Sequence, residues 1–294
     1  MISTLQLGGR QLPLSAPVVM GVLNVTPDSF SDGSRLGKLN SSGRFTVDVE
    51  KALQRAAGML AEGARIIDVG GESTRPGATQ VSTQEELDRV IPVVESLVAN
   101  LDVAISVDTS NPNVMREACV AGAGMINDIR SLNTEGALQV AAQFPVAVCL
   151  MHMQGQPATM QKQIHYDDVV REVTDYLRGR VDEAVKAGIA RSRLVVDPGF
   201  GFGKTAEHNY RLLQQLDQFQ QLGLPVLVGL SRKSMIGQAT GRPVEQRLHG
   251  SVAAAMIALE RGARIIRTHD VAATLDAIGV HCAIQNTLRD KNTA

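Results

Sequence analysis

The 294-residue chain has no tryptophan, and only 3% of its residues are aromatic, so its core must be built from aliphatic side chains and methionine. Its 29 Lys and Arg residues are matched by 30 Asp and Glu residues, for a formal net charge of −1. Such a balance excludes the wide basic surface that nucleic-acid binding needs. No apolar run approaches the length of about 18 residues that a membrane span needs. The sequence therefore predicts neither a nucleic-acid-binding nor a membrane protein.

Cysteine is equally scarce. Cys119, Cys149 and Cys282 are odd in number, far apart and form no C-x-x-C pair, which argues against a disulfide framework and a zinc site. We interpret them as buried structural thiols. The first ten residues, MISTLQLGGR, contain no positive segment followed by an apolar run, so no secretory signal is predicted. We expect a soluble cytoplasmic protein.

Short apolar runs alternate with amphipathic segments along the chain. Eight runs are apolar on both faces, as strands buried between two layers are. The segments between them, such as 46–60 and 247–260, repeat apolar residues at helical spacing. The predicted strands are 16–24, 65–70, 103–108, 124–128, 146–151, 194–197, 224–230 and 264–268.

Eight strands that are each followed by a helix predict an α/β protein with a (β/α)8 TIM barrel. Residues 5–14 predict a short N-terminal β-hairpin that turns at Gly8-Gly9 and closes the bottom of the barrel. Because no linker divides the chain, residues 1–294 are predicted to form a single domain. The alternative is a doubly wound open sheet, which usually has fewer strands and would need a glycine-rich dinucleotide turn after the first one. This sequence has no such turn.

Polar or charged residues stand at the end of nearly every predicted strand. In a barrel the loops after the strands converge on one mouth, which is where active sites lie. Capping of the following helices would explain two or three such groups, but not eight sets. The sequence therefore predicts an active site at this mouth. The strand-end groups are Asn24, Asp68 with 70–77, Asp108, Asn127-Asp128, His152, Asp197, 231–234 and 267–269.

The residue types at the mouth restrict the ligand. Asp108, Asn127 and Asp197 offer carboxylates and an amide, which suit a flat heterocycle with N–H donors and amide-like edges. The alternative for Asp108 is that it caps the following helix. Lys233 and Arg267 add positive charge at the same rim.

Two further groups, Arg75 and His269, lie near these cations in the predicted mouth. Together the four indicate a phosphate or diphosphate ligand, although each alone would also be ordinary on a surface. Ser234 stands where 232–237 leads into a helix, so its hydroxyl and free backbone N–H groups can take an anionic group.

A metal ion is compatible with this set of residues. Asn24 is an oxygen ligand, and diphosphate sites commonly use Mg²⁺ held by few protein ligands and several waters. No Asp, Glu or His cluster has tight metal spacing, so a metal caged by protein is not expected. No G-x-S-x-G motif exists, and neither Ser231 nor Cys149 shows a dedicated base partner, which disfavours covalent catalysis.

Two loops, 26–30 and 73–77, follow the first two predicted strands and combine proline with small polar residues. We expect them to close over a second substrate and exclude water. Phe30 stands out in a polar loop. It is either a wall of that second site or an anchor that packs back onto a helix.

Seven motifs, in order, resemble those of the dihydropteroate synthases, a pterin-binding family. The resemblance runs from the first strand to the last, and we find no departure from the pattern at the positions that carry chemistry. The motifs are NVTPDSFSDG (24–33), IDVGGESTRPG (67–77), VDTS (107–110), INDI (126–129), DPGFGFGK (197–204), GLSRKSM (229–235) and RTHD (267–270).

The resemblance implies a transferase of folate biosynthesis that joins 6-hydroxymethyl-7,8-dihydropterin diphosphate to p-aminobenzoate and releases diphosphate. It also implies Mg²⁺ as cofactor, inhibition by sulfonamides and a homodimer. Asp108, Asp197, Lys233 and Arg267 would be catalytic. The pterin would contact Asp108, Asn127, Asp197, Lys233 and Arg267; the diphosphate and Mg²⁺ would contact Asn24, Thr74, Arg75, Arg267 and His269, with Asn24 as the metal ligand; and p-aminobenzoate would contact Thr26, Phe30, Pro76, Phe202, Lys204 and Ser234.

The mechanism expected from this site is a dissociative displacement without a covalent enzyme intermediate, with the pterin binding first. Two other functions remain open. A catalytically silent pterin-binding barrel could lose the two loops and the SRKS segment, whereas both are present here. A pterin-dependent methyltransferase would need no aminobenzoate pocket, so the 26–30 loop and Ser234 argue against it.

Overall fold

A computed structural model of the chain describes residues 3–27, 36–39, 45–73, 81–155, 159–160 and 164–290. Its main sheet consists of eight parallel strands in the order β10-β9-β8-β7-β6-β3-β12-β11. The described strands are β1 (Thr4–Leu7), β2 (Arg10–Pro13), β3 (Val18–Asn24), β4 (Gly37–Leu39), β5 (Phe45–Val47), β6 (Ile66–Gly70), β7 (Ala104–Asp108), β8 (Met125–Asp128), β9 (Ala147–Met151), β10 (Leu194–Asp197), β11 (Leu227–Gly229) and β12 (Ile265–Thr268).

The two end strands of this sheet are also joined, so the sheet closes on itself. Val196 in β10 forms a parallel bridge with Val226, and its N–H donates to the carbonyl of Pro225 at 3.1 Å. The predicted (β/α)8 barrel is thus confirmed, and all eight predicted barrel strands are present.

Helices follow each barrel strand and cover its outer face. The α-helices in the described ranges are α1 (Val49–Ala61), α2 (Thr83–Asn100), α3 (Pro112–Val120), α4 (Ala137–Gln143), α5 (Val169–Lys186), α6 (Ala206–Gln214), α7 (Ser234–Thr240), α8 (Leu248–Glu260) and α9 (Val271–Asp290). Their starts follow from local sequence. Ser82 and Glu85 form a capping box on α2, and Asn111 caps α3 with Pro112 as its first residue. The short α7 is an additional helix between β11 and α8.

Alternation along the strands divides the inner face of the barrel into an apolar floor and a polar rim. Ile66, Met125 and Ile265 are buried in one apolar cluster at the floor. Because side chains on a strand alternate between faces, the residues two positions later return to the same face. Those residues are Asp68, Asn127 and Arg267.

The N-terminal hairpin seals the floor. β1 and β2 pair antiparallel around the Gly8-Gly9 turn, as the sequence predicts. Four leucines of this segment share the apolar cluster with the inward residues of the barrel strands, which confirms that the hairpin packs against the barrel floor. These leucines are Leu5, Leu7, Leu12 and Leu14.

Three details differ from the sequence analysis. An antiparallel pair, β4 and β5, was not predicted, since two three-residue strands give almost no periodic signal. Helix α1 begins at Val49 and not at residue 46, because the Asp48 side chain caps it by accepting from the Lys51 N–H. Cys149 is buried, but the other two cysteines are only half-buried.

In the described ranges, no helix combines the length and the apolar character needed to cross a membrane.

The hairpin floor can be tested by truncating Leu5, which is fully buried. Leu5→Ala should lower the free energy of unfolding by about 2–5 kcal/mol, since it removes buried methyl groups and leaves a cavity. Urea unfolding followed by circular dichroism measures this change. Val120→Ala, at a residue 69% exposed, is the control and should have little effect. Equal stability of the two variants would show that the hairpin does not contribute to the core.

Candidate active site

The site is centred on the guanidinium of Arg267, which lies between two carboxylates. Its Nε donates to Asp68 Oδ2 at 2.6 Å, and its Nη2 donates to Asp108 Oδ2 at 2.8 Å. Asn127 Nδ2 also donates to Asp68 Oδ2, at 3.0 Å. Strands β6, β7, β8 and β12 thus meet in one hydrogen-bonded group inside the mouth.

Burial sets the electrostatics of this group. Burial disfavours the charged guanidinium, but the carboxylates of Asp68 and Asp108 outweigh that effect and raise the pKa of Arg267. Burial raises the pKa of Asp108 to about 7, against the opposing effect of Arg267. The cation is therefore permanent, and Asp108 is poised to respond to a charged or proton-donating ligand.

Asp197 supplies a second carboxylate, at the end of β10. Its Oδ1 accepts the N–H of Gly199 at 2.7 Å. Burial raises the pKa of Asp197 to about 6, while the Gly199 N–H and Lys233 oppose the shift. Asp197 is 5% exposed, and its second carboxylate oxygen can accept a hydrogen bond from a ligand.

Lys233 approaches the same space from the segment after β11. Its ammonium lies 4.2 Å from the centroid of the Phe202 ring, within range of a cation–π contact. Burial lowers the pKa of Lys233 to about 8, and Arg267 adds to the shift. The half-buried ammonium of Lys233 thus lies over the Phe202 ring at the rim of the mouth.

Lys204, in contrast, turns away from the open mouth. It is only 3% exposed, and its Nζ contacts His152 Nδ1 at 2.9 Å and the carbonyl oxygens of Gly199 and Phe202 at 2.9 and 3.0 Å. Burial lowers its pKa to about 7. The structure therefore places this side chain beneath the 197–204 loop.

The segment 231–234 is held in place by an ion pair that the sequence analysis missed. Arg232 lies in the left-handed region with φ 58°, and its guanidinium pairs with Asp270 at 3.0 Å (Nε–Oδ2) and 2.5 Å (Nη2–Oδ1). Its N–H donates to Ser251 Oγ at 2.9 Å. This pair ties the segment before α7 to the end of β12. The adjacent letters R-T-H-D gave a signal for Asp270, but nothing in the sequence linked it to Arg232.

Ser231 has a histidine partner, contrary to the expectation from sequence. Its Oγ lies 3.0 Å from His269 Nδ1 and also accepts the His269 N–H at 3.3 Å. Burial, followed by Arg267 and Arg232, lowers the pKa of His269 to about 3. Such an imidazole is a weak base, so the pair lacks the activated base that a serine nucleophile needs. It is better suited to hydrogen bonding.

Helix α2 braces two strand ends from outside the barrel. Thr109 Oγ1, next to Asp108, donates to the buried Glu86 Oε1 at 2.6 Å. Arg89 Nη1 donates to the carbonyl of Gly71, just after β6, at 3.0 Å. Neither Glu86 nor Arg89 was singled out from sequence, since each looks like an ordinary charged residue on an amphipathic helix.

The structure brings most of the predicted site residues to the same mouth. Asp108, Asn127, Asp197, Lys233 and Arg267 meet at the strand ends, and Asn24, His269 and Phe202 line the same rim. Thr26 is buried just after β3, and Ser234 is exposed as the first residue of α7. The predicted residues Phe30, Thr74, Arg75 and Pro76 lie outside the described residues.

Asn24 can serve as a metal ligand only if the other ligands of the ion come from water and a bound substrate. A Cβ built on Gly70 would lie 3.2 Å from Asn24 Oδ1 and 3.7 Å from the Cβ of Asp108, so the glycine keeps the space between them open. In the part of the chain that the structure describes, no group of three or more His, Cys, Asp or Glu residues could hold a metal ion. A single amide oxygen suits Mg²⁺ whose other ligands are water and a bound diphosphate.

Comparisons with known proteins agree with this geometry. Residues 20–269 match the family of pterin binding enzymes. The dihydropteroate synthase of Haemophilus influenzae is 53% identical over 275 residues, which cover 94% of this chain and 96% of that protein. The Yersinia pestis dihydropteroate synthase solved with a sulfonamide drug has a TM-score of 0.90 and 52% identity, covering 96% of this chain and 99% of that one. The Xanthomonas albilineans enzyme solved with 4-aminobenzoic acid has a TM-score of 0.88 and 51% identity, covering 97% and 99%.

The low pKa of His269 predicts a pH dependence. Its folded value of about 3 lies below the ordinary 6.5, so the unfolded chain binds the proton first as the pH falls. The stability that the neutral ring contributes is therefore present above pH 6.5 and is lost as the pH falls towards 3. NMR of the imidazole should show no titration between pH 5 and 8. The free energy of unfolding of His269→Asn should also fall less than that of the parent between pH 6.5 and 4. A midpoint near 6.5 would contradict this account.

Proposed function

We propose, because the chain belongs to the dihydropteroate synthase family of pterin binding enzymes, that it joins 6-hydroxymethyl-7,8-dihydropterin diphosphate to p-aminobenzoate. The products would be 7,8-dihydropteroate and diphosphate, and the chain is thus a transferase. The observation that carries this proposal is the Arg267 group, in which Asp68, Asp108 and Asn127 converge on one mouth.

The pterin binds against the polar rim. Asp108 and Asp197 accept N–H groups from the edge of the heterocycle, since each has carboxylate oxygens facing the mouth. Asn127 donates one amide N–H to Asp68, so its carbonyl oxygen and its second amide N–H remain to contact the ring. Lys233 donates to a ring acceptor, and the planar Arg267 covers the ring face.

The diphosphate occupies the side of the mouth near Asn24, Arg267 and His269. The family resemblance adds Thr74 and Arg75, which lie outside the described residues, to this set. Arg267 offers its guanidinium, and the neutral His269 offers an N–H donor from Nε2 when Nδ1 accepts from Ser231. Asn24 would hold Mg²⁺ through its amide oxygen. A bound Mg²⁺ would offset the negative charge of the diphosphate.

The aminobenzoate lies beside the pterin, near Phe202 and the first residue of α7. Phe202 forms one wall of its ring, and the family resemblance assigns Phe30 and Pro76, which lie outside the described residues, to the same subsite. Ser234, exposed at the first residue of α7, takes the carboxylate, and Thr26 and Lys204 complete the set assigned to this subsite.

The reaction is a dissociative displacement. The bond between the pterin methylene carbon and the diphosphate oxygen breaks first, and its electron pair leaves with the diphosphate. The ring delocalises the resulting cation, which the carboxylates of Asp108 and Asp197 stabilise. The aryl amine then forms the C–N bond with its lone pair and releases a proton. The pterin binds first, because Asp197, one of its proposed contacts, is buried, whereas Ser234 of the aminobenzoate subsite is exposed.

Two broader features are part of the proposal. The family likeness supports a homodimer, which a mass measurement in solution tests. A cytoplasmic location is the second feature, and cell fractionation tests it. Sulfonamides, as mimics of aminobenzoate, should compete with that substrate.

The direct test combines the purified protein with the pterin diphosphate, p-aminobenzoate and Mg²⁺, and follows diphosphate and dihydropteroate together. Both should form in equal amounts.

Asp108→Ala should lose pterin binding, measured by calorimetry, because the ring loses its carboxylate partner and Arg267 loses one of its two carboxylate partners. Asp102→Ala, at an exposed residue, is the control. Diphosphate release without dihydropteroate would reject the synthase reaction, and full affinity of Asp108→Ala would reject its role.

The absence of a covalent step can be tested at Ser231. Ser231→Ala should lower kcat less than about tenfold, since only a hydrogen bond to His269 is lost, whereas loss of a true nucleophile costs on the order of 10⁴–10⁶-fold. Mass spectrometry of the quenched enzyme during turnover should find no pterin adduct. A trapped adduct on any residue would overturn the dissociative mechanism.

A further inference from the structure

The ammonium of Lys204 is fully committed to the protein itself. It is within hydrogen-bonding distance of His152 Nδ1 at 2.9 Å and of the carbonyl oxygens of Gly199, Phe202 and His152 at 2.9, 3.0 and 3.3 Å. A lysine ammonium has three donors, and these four acceptors use them all. The residue is 3% exposed, so no donor is left to face a substrate.

The contacts of Lys204 join two backbone segments that touch each other closely. A Cβ on Gly199 would lie 1.8 Å from the carbonyl oxygen of His152, and one on Gly203 would lie 2.4 Å from that of Gln154. Both glycines have positive φ, of 71° and 61°. The 197–204 loop is therefore pressed against the end of β9, and the Lys204 ammonium bridges the two segments.

His152 is built to accept from this ammonium. It is 6% exposed, and its ring lies edge-on to Tyr176 with centroids 4.9 Å apart. Burial and the neighbouring Lys204 lower the pKa of His152 to about 2, so the ring is neutral. Since Nδ1 faces a group that has only donors, the hydrogen-bond network assigns the ring proton to Nε2.

The loop that Lys204 fastens carries two groups of the site. Asp197 begins it and is tied to β9 through the His152 N–H, which donates to the Asp197 carbonyl at 3.0 Å. Phe202 lies within it and holds its ring 4.2 Å from the Lys233 ammonium. Any movement of the loop would move both the carboxylate and the ring.

We propose that Lys204 is a positioning residue, with His152 as its acceptor, that fixes the 197–204 loop and does not itself bind the aminobenzoate carboxylate. The proposal revises the role assigned to Lys204 within the proposed function and rests on that function for its substrates. It makes Ser234, and not Lys204, the carboxylate-binding group among the described residues.

Hydrogen exchange of the ligand-free protein tests the positioning directly. The amides of Gly199, Gly201 and Phe202 are all hydrogen-bonded in the described loop. Lys204→Met and His152→Leu should each speed exchange of these amides at least about tenfold, because the loop opens more often. His152→Asn keeps an acceptor and should stay close to the parent, as should Lys186→Met on the surface of α5. Unchanged exchange in Lys204→Met and His152→Leu would overturn the proposal.

Kinetics with two acceptor substrates separate positioning from direct binding. Lys204→Met should lower kcat/KM by the same factor for p-aminobenzoate and for p-aminobenzamide, which lacks the carboxylate. A loss confined to p-aminobenzoate would show that Lys204 binds the carboxylate and would overturn the proposal. If Lys204→Met fails to fold, the His152→Leu and His152→Asn pair gives the same comparison. A parent protein that makes no product rejects the proposed function, while the exchange result still decides the positioning role.

Discussion

The guanidinium of Arg267, clamped between Asp68 and Asp108, is the interaction on which the rest of the site depends. A buried cation is stable only when carboxylates offset its desolvation, and these two stand on neighbouring strands in the barrel wall. Asp68 also accepts from Asn127, so one fully buried carboxylate orients both a cation and an amide. The clamp leaves the planar face of the guanidinium available to a flat ring.

The position of this clamp follows from the alternation of side chains between the two faces of each barrel strand. Each inward-facing strand residue at the floor is apolar, and the hairpin leucines complete that layer. Two residues further along, the same face meets the mouth, where polar groups have access to ligand and to loop backbone. Stability therefore comes from one end of the barrel and chemistry from the other. The buried Lys204 likewise holds the loop after β10 in place through its contacts with His152, Gly199 and Phe202.

The strands and the polar mouth could be predicted because both depend on local periodicity. Asp108, Asn127 and Asp197 each end an apolar run, and the structure places them together at the mouth. The Ser231–His269 contact could not be predicted, since its partners are 38 positions apart and follow different strands. Lys204 was assigned to the aminobenzoate by the family resemblance, and only its three-dimensional contacts show that it faces inward.

The role of Asp68, in contrast, could not be predicted from the sequence. The residue ended a predicted strand, but its neighbouring apolar residues gave no sign that it would anchor Arg267. Its importance appears only when β6 and β12, which are far apart in sequence, lie on either side of β3 in the sheet. The pairing of β3 with β12 brings these strands together, and a single sequence does not record it.

The most direct test of the clamp is the affinity of Asp68→Asn for the pterin diphosphate, measured by calorimetry without aminobenzoate. The substitution keeps the shape of the side chain but removes the charge that holds Arg267 and Asn127 in place. We expect the dissociation constant to rise at least about tenfold, or about 1.4 kcal/mol. Asp102→Asn, at an exposed carboxylate, should bind like the parent protein. Unchanged affinity of Asp68→Asn would contradict the claim that this buried ion pair organises the site.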